Sequence, residues 1–256
     1  MITMKESFSE AIQIMLDTIS FKTPEGILTG YPELDNLTRG MRKGTLTVLV
    51  SPPSLGKTAF ALNIVGNLME RKPEMPVLYC SGLSHTELTF RLLAILSGVT
   101  CGYDRDLHGE EITRLTECIT ERKNYPLFFE ENGISFEKIT GLCPENHIGF
   151  LIFDPARLES LAELKRLAQE LDIPVLASVS IGKNITEIME SADTVIHLVR
   201  DRHETKNDQG APVSLVVTRN RFGLCGTCRL NFYPQTMRFE NDHDREDNEN
   251  KQEDKR

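Results

Sequence analysis

Apolar positions along the chain follow two alternating rhythms. Short β-rich runs recur at "TLTVLV" (45–50), "VLYC" (77–80), "LFF" (127–129), "GFLIF" (149–153), "VLASVS" (175–180), "TVIHLV" (194–199), "VSLVVT" (213–218) and "CRLNFY" (228–233). Stretches with helical spacing separate most of the early runs, over 57–70, 86–97, 109–123 and 159–171. Strands that are apolar nearly throughout must be covered on both faces, and alternation of strand with helix joins parallel strands. The pattern therefore predicts an α/β fold, a mainly parallel twisted sheet with helices on both faces. The last two runs lie close together and are expected to form an antiparallel edge.

Ahead of these elements, residues 4–19 place Phe8, Ala11, Ile12, Met15 and Ile19 on one stripe at helical spacing, with Lys5, Glu6, Glu10 and Asp17 mostly elsewhere. An amphipathic helix is expected there. The chain then divides into a helix and connector (1–25), an uninterrupted domain (26–239) and a polar tail (240–256). The tail holds eight acids and four bases and no apolar residue, so it is expected to stay disordered and solvated.

Composition narrows the class. A chain of 256 residues, 39% hydrophobic, is long enough to bury the core of one sizeable α/β domain. The formal net charge is -9, of which the tail contributes -4, and this argues against a generic nucleic-acid-binding surface. No 18-residue apolar window occurs, and the first residues carry acids where a signal peptide would be apolar, which leads to a cytoplasmic expectation. Six cysteines are too sparse for a disulfide scaffold; Cys225 and Cys228 form a CxxC, but a zinc site needs a second pair that the sequence does not show.

The candidate chemistry begins at "SPPSLGKTAF" (51–60), directly after the first β-rich run. A strand, a loop closing on Gly56-Lys57-Thr58 and a helix opening at Ala59 follow in the order a phosphate-binding loop requires. Backbone N–H groups of Ser54, Leu55, Gly56 and their neighbours at the helix start would hold phosphate oxygens. Lys57 would reach the β and γ phosphates of ATP, and the Thr58 hydroxyl would ligate Mg²⁺. The first glycine of that motif is replaced by Ser51. A second element is Asp154, which ends the "GFLIF" run where a P-loop enzyme places the carboxylate that holds Mg²⁺ through water. Taken alone, an aspartate at a strand end is more often a turn former or helix cap.

The segment "GILTGYPELDNLTRGMRKGTLTVLVSPPSLGKTAFALNI" resembles the opening of the RecA-like motor domain of the replicative helicase family DnaB. "SHTELTFRLLAILSGV", "LAQELDIPVLA", "SADTVIHLVRDR" and "RNRFGLCGTCRLNF" continue the likeness, which covers roughly residues 4–239. The resemblance implies a RecA-like P-loop NTPase working as a hexameric ring, with ATP between subunits and cationic fingers supplied by the neighbour. Arg219 and Arg221 match the family's lysine and arginine fingers. Residues 4–19 match its linker helix, which docks on the adjacent subunit, and the family's N-terminal primase-binding domain has no counterpart in the match.

Departures from the family pattern are equally specific. Gly82 stands where the family carries the glutamate that positions the attacking water, Ser180 replaces a γ-phosphate-sensing glutamine, and Arg157 replaces the glutamine beyond the Walker B aspartate. Both channel loops that grip single-stranded DNA are shortened, leaving Arg157 and Lys183 as the residual cations, so DNA binding is expected to be weak. Two functions stay open. One is a degenerate ATP-dependent DNA helicase, in which an acid such as Glu87 would replace the missing base. The other is a non-hydrolysing ATP-binding subunit that assembles with itself or with DnaB-like subunits in a ring. A recombination-type RecA or RadA relative shares only "NRFG".

Overall fold

Leu46–Ser51 (β1) is buried along its whole length, which requires neighbours on both sides and cover on both faces. Those neighbours are Val175–Ser180 (β5) and Thr194–Arg200 (β6), both parallel to β1. Val77–Ser81 (β2), Leu127–Glu131 (β3) and Phe150–Asp154 (β4) extend the parallel set. Ala211–Asn220 (β7), Gly226–Tyr233 (β8) and Arg238–Asn241 (β9) add an antiparallel flank. In the computed structural model the sheet runs β3-β2-β4-β5-β1-β6-β7-β8-β9. The structure describes residues 4, 8, 12, 26–102, 105–131, 135–180, 185–200 and 210–241.

Alternation along the strands divides the core into two layers. Leu49, Tyr79, Ile152 and Leu176 face one side, where Lys57–Arg71 (α2, the helix after Pro32–Thr38, α1) and His85–Ser97 (α3) cover them. Gly109–Arg122 (α4) packs outside α3. Val48, Val50, Leu78, Leu151 and Ala177 face the other side, against Phe136–Glu145 (α5), Leu161–Leu171 (α6) and Ile185–Ser191 (α7). The α/β architecture, its parallel core and its two-sided helical cover are those the apolar pattern predicts.

The differences are local. The antiparallel edge has three strands rather than two, because "RFEN" pairs with β8 through a four-residue strand whose single apolar residue, Phe239, gives no period to read. Glu240 and Asn241, expected to open the acidic tail, therefore close β9, and the rest of the tail lies outside the described residues. Helix α1, too short and polar to show a stripe, is fixed by the Asp35 carboxylate, which accepts from the N–H of Thr29 (2.7 Å) and of Gly30 (3.0 Å). Of the helix expected over 4–19, Met4, Phe8 and Ile12 are described; all three are helical and 72, 61 and 56% exposed.

Candidate functional site

The loop after β1 is shaped by two left-handed residues. Ser54 has φ 62°, and Gly56, capping α2, has φ 101°. A Cβ on Gly56 would sit 3.3 Å from the Phe239 ring, so this glycine serves both the turn and the close approach of β9. Lys57 is buried at the first turn of α2, and its Nζ donates to Ser51 O, Ser51 Oγ and Pro52 O, each at 3.2 Å. Burial lowers its pKa, against the opposing pull of Asp154. The ammonium thus rests on the loop's own oxygens, where an incoming anion can replace them. Thr58 follows at the second helical position, half-buried, and Ala59 packs into the core behind it. N–H groups in the first turn of a helix have no intrahelical acceptor, which suits them to phosphate oxygens.

Asp154 ends β4 on the same edge of the sheet and is only 2% exposed. Its Oδ2 accepts from the Tyr79 hydroxyl at 2.8 Å and its Oδ1 from the Ser178 hydroxyl, while its backbone carbonyl accepts from Ser81 Oγ at 2.8 Å. Burial, with Asp154 beside it, pushes the Tyr79 phenol well above its ordinary value, so the phenol stays a donor. These three hydroxyls escape a reading of the sequence because they lie inside apolar runs. Only the β2-β4-β5 order, with Ser81 opposite Asp154, gathers them.

The same edge carries the ends of β1, β5 and β2. Ser180 lies opposite Ser51, and exposed Gly82 follows Ser81. The structure therefore brings together the loop 51–58, Asp154, Gly82 and Ser180. Glu87, considered as a replacement base, is ion-paired with Arg91 at 2.5 Å. Arg157 is exposed, and Lys183 lies outside the described residues.

Arg219 and Arg221 sit elsewhere. Asn220, at the end of β7, lies opposite Thr194, the start of β6, which puts both arginines at the N-terminal edge of the parallel strands. Arg219 Nε donates to Ala192 O at 3.0 Å, and Arg221 Nη1 contacts Asp193 Oδ1 at 3.2 Å. Asp193 is 1% exposed and also accepts from Lys165 Nζ (2.6 Å) and the N–H of Leu46 (2.8 Å). Leu46 begins β1 and Ser51 ends it. At about 3.3 Å per residue, the strand separates the two arginines from their own chain's loop by roughly 16 Å.

The sequence model of the DnaB-like helicase C-terminal domain matches residues 26–153, half of the chain. The chain belongs to that family. Among the relatives of this DnaB-like chain are the probable replicative DNA helicase of Trieres chinensis (26% identical; 89% of this chain, 60% of the relative) and the replicative DNA helicase DnaB of Treponema pallidum (29%; 84% and 56%). The replicative DNA helicase DnaC of Bacillus subtilis is 26% identical over the same shares as the Treponema protein. The chain thus spans a little over half the length of these relatives. Two solved structures share the fold. The ATPase domain of G40P superposes with a TM-score of 0.77 at 22% identity, over 91% of this chain and 98% of that one. A DnaB-like replicative helicase, described with its interactions with primase, gives 0.78 at 21%, over 91% and 66%. The architecture is accordingly the RecA-like ATPase fold of DnaB. No described helix of the DnaB-like chain is long and apolar enough to cross a membrane.

Proposed function

We propose that this DnaB-like chain binds ATP with Mg²⁺ through its domain 26–239, hydrolyses it slowly at best, and works within a ring of itself or of DnaB-like helicase subunits in the cytoplasm. The observation that carries the reading is the division of the candidate residues between two edges. Lys57, Thr58 and Asp154 share one edge with Gly82, which has no side chain with which to orient water, and Arg219 and Arg221 occupy the other. Lys57 would exchange its loop carbonyls for phosphate oxygens. The Thr58 hydroxyl and the Asp154 carboxylate are hard oxygen donors that suit Mg²⁺, directly or through water. Bound Mg²⁺ would neutralise phosphate charge. The arginines are too far from their own loop to serve it and would act on a neighbour's ATP. Single-stranded DNA would be held weakly, with few cations near the expected channel loops.

Lys57→Ala is expected to abolish binding of a fluorescent ATP analogue at the loop; equal affinity in both proteins would end this reading. Turnover measured with and without single-stranded DNA separates the two functional classes. A wild-type rate near the ~10 s⁻¹ typical of enzymes, accelerated by DNA, would identify a working motor and remove the non-hydrolysing subunit from consideration.

A further inference from the structure

At the N-terminal edge of the parallel strands, opposite the ATP-binding loop, lies a cavity of about 640 Å³. This is within the ~300–1,000 Å³ range of small-molecule sites. Arg42, Lys43 and Lys72 line it with one acid, Glu74, and Ile27, Met41 and Met75 supply apolar walls. None of the three cations is ion-paired among the described residues. Arg42 Nε is buried with no hydrogen-bond partner. A buried donor left unmatched is costly and rare enough in folded proteins to require a reason. An oxyanion seated in the cavity would supply the missing acceptor by drawing the Arg42 side chain toward it. The same guanidinium lies 5.1 Å from the centre of the Phe222 ring, in the loop that carries Arg221.

From these features we infer that the cavity is a second anion site, one that takes a nucleoside phosphate. Arg42, Lys43 and Lys72 hold the phosphates, the apolar walls cover the base, and the Glu74 carboxylate accepts from an amino or ribose hydroxyl group. Occupancy would draw Arg42 toward the ligand and so bear on its contact with Phe222. The site is independent of the loop 51–58, from which it is separated by the length of the parallel strands.

Calorimetric titration of the full chain carrying Lys57→Ala, first with ADP and then with inorganic pyrophosphate, tests the inference. ADP is expected to bind at one remaining site, more tightly than pyrophosphate. Adding Lys43→Met and Lys72→Met, which leaves the Arg42–Phe222 contact intact, should weaken ADP by about tenfold or more. Arg42→Met should do the same. The inference is overturned if Lys57→Ala gives no heat with ADP, if removing the cations leaves the affinity unchanged, if pyrophosphate binds as tightly as ADP, or if a single-stranded oligonucleotide displaces ADP from the site. One site in the wild type and none in Lys57→Ala would sink this inference while leaving the ATP-binding loop intact. Identical titrations of the wild type and Lys57→Ala, both sensitive to the cavity cations, would do the reverse.

Discussion

A Cβ built on Gly82 meets no atom within 4 Å, and the residue's φ lies outside the left-handed region. Position 82 is therefore open space and not a strained turn, and a longer side chain can enter it from a backbone already suited to L residues. Gly82→Glu is expected to change unfolding free energy by no more than about 0.5 kcal/mol, the ordinary range for an exposed substitution. ATP turnover should rise, by up to the ~10²–10⁴-fold associated with a general base. An unchanged rate in a folded protein that still binds ATP would show that more than this carboxylate is missing. Tyr79 gives the complementary case, a residue whose role is hidden by its surroundings. Its neighbours in "VLYC" are core residues, and by sequence it reads as one more of them. Its hydroxyl nevertheless donates to a carboxylate that water hardly reaches. Tyr79→Phe keeps the ring and removes the donor. Chemical denaturation should register a loss of about 1–3 kcal/mol, the usual cost of leaving a buried acceptor short of a partner. No loss would mean that Ser178 alone satisfies Asp154.

Among the elements, those legible in the sequence were the ones whose burial is nearly complete. Strands β1, β4 and β5 are apolar runs because both of their faces are covered, and the loop after β1 announces itself by a glycine, a lysine and a threonine in fixed order. Strand β9 and helix α1 left no such trace, since the pairing with β8 that fixes the one and the Asp35 bonds to Thr29 and Gly30 that fix the other are encoded by no periodicity. Other contacts of β9 bear directly on the site. Asn63 in α2 donates to Met237 O at 2.8 Å and accepts from the Phe239 N–H at 3.1 Å, and the Phe239 ring meets Phe60 edge-on at 5.3 Å. The strand thereby braces the helix that begins with Lys57. Gly56→Ala puts a methyl group against this brace and forces a left-handed alanine, which costs roughly 1–2 kcal/mol before any contact is counted. Both thermal stability and ATP-analogue affinity should fall. Retention of full affinity would show that the loop can reach its binding shape without the left-handed turn at position 56.

Across the whole molecule, the division of the candidate residues has a consequence for assembly. The resemblance to the DnaB family implied that Arg219 and Arg221 serve a neighbour, but their position became clear only once β7 was seen to run antiparallel to β6. On the proposed function, an arginine roughly 16 Å from the loop 51–58 of its own chain and half exposed beside Asp193 would contribute to hydrolysis only across a subunit boundary. Met4, Phe8 and Ile12, spaced four residues apart and exposed, present apolar surface that a neighbouring copy would cover. Head-to-tail contacts of this kind close into a ring when the rotation permits. With ATP and Mg²⁺ at micromolar concentration, the protein is therefore expected to run at a mass above the monomer, or to co-elute with an intact DnaB-like helicase. Complementation would then locate the arginine. In the Gly82→Glu background, Lys57→Ala lacks a working loop and Arg221→Ala lacks a finger, so each should be nearly inactive alone. Mixed in equal amounts, roughly one interface in four would pair an intact loop with an intact finger, and activity should reappear to that extent. A monomeric mass would end the homomeric ring. Absence of co-elution, with no change in the helicase's ATPase rate on Arg221→Ala, would end the mixed one, and two assembled but uncomplemented variants would show that Arg221 does not act in trans.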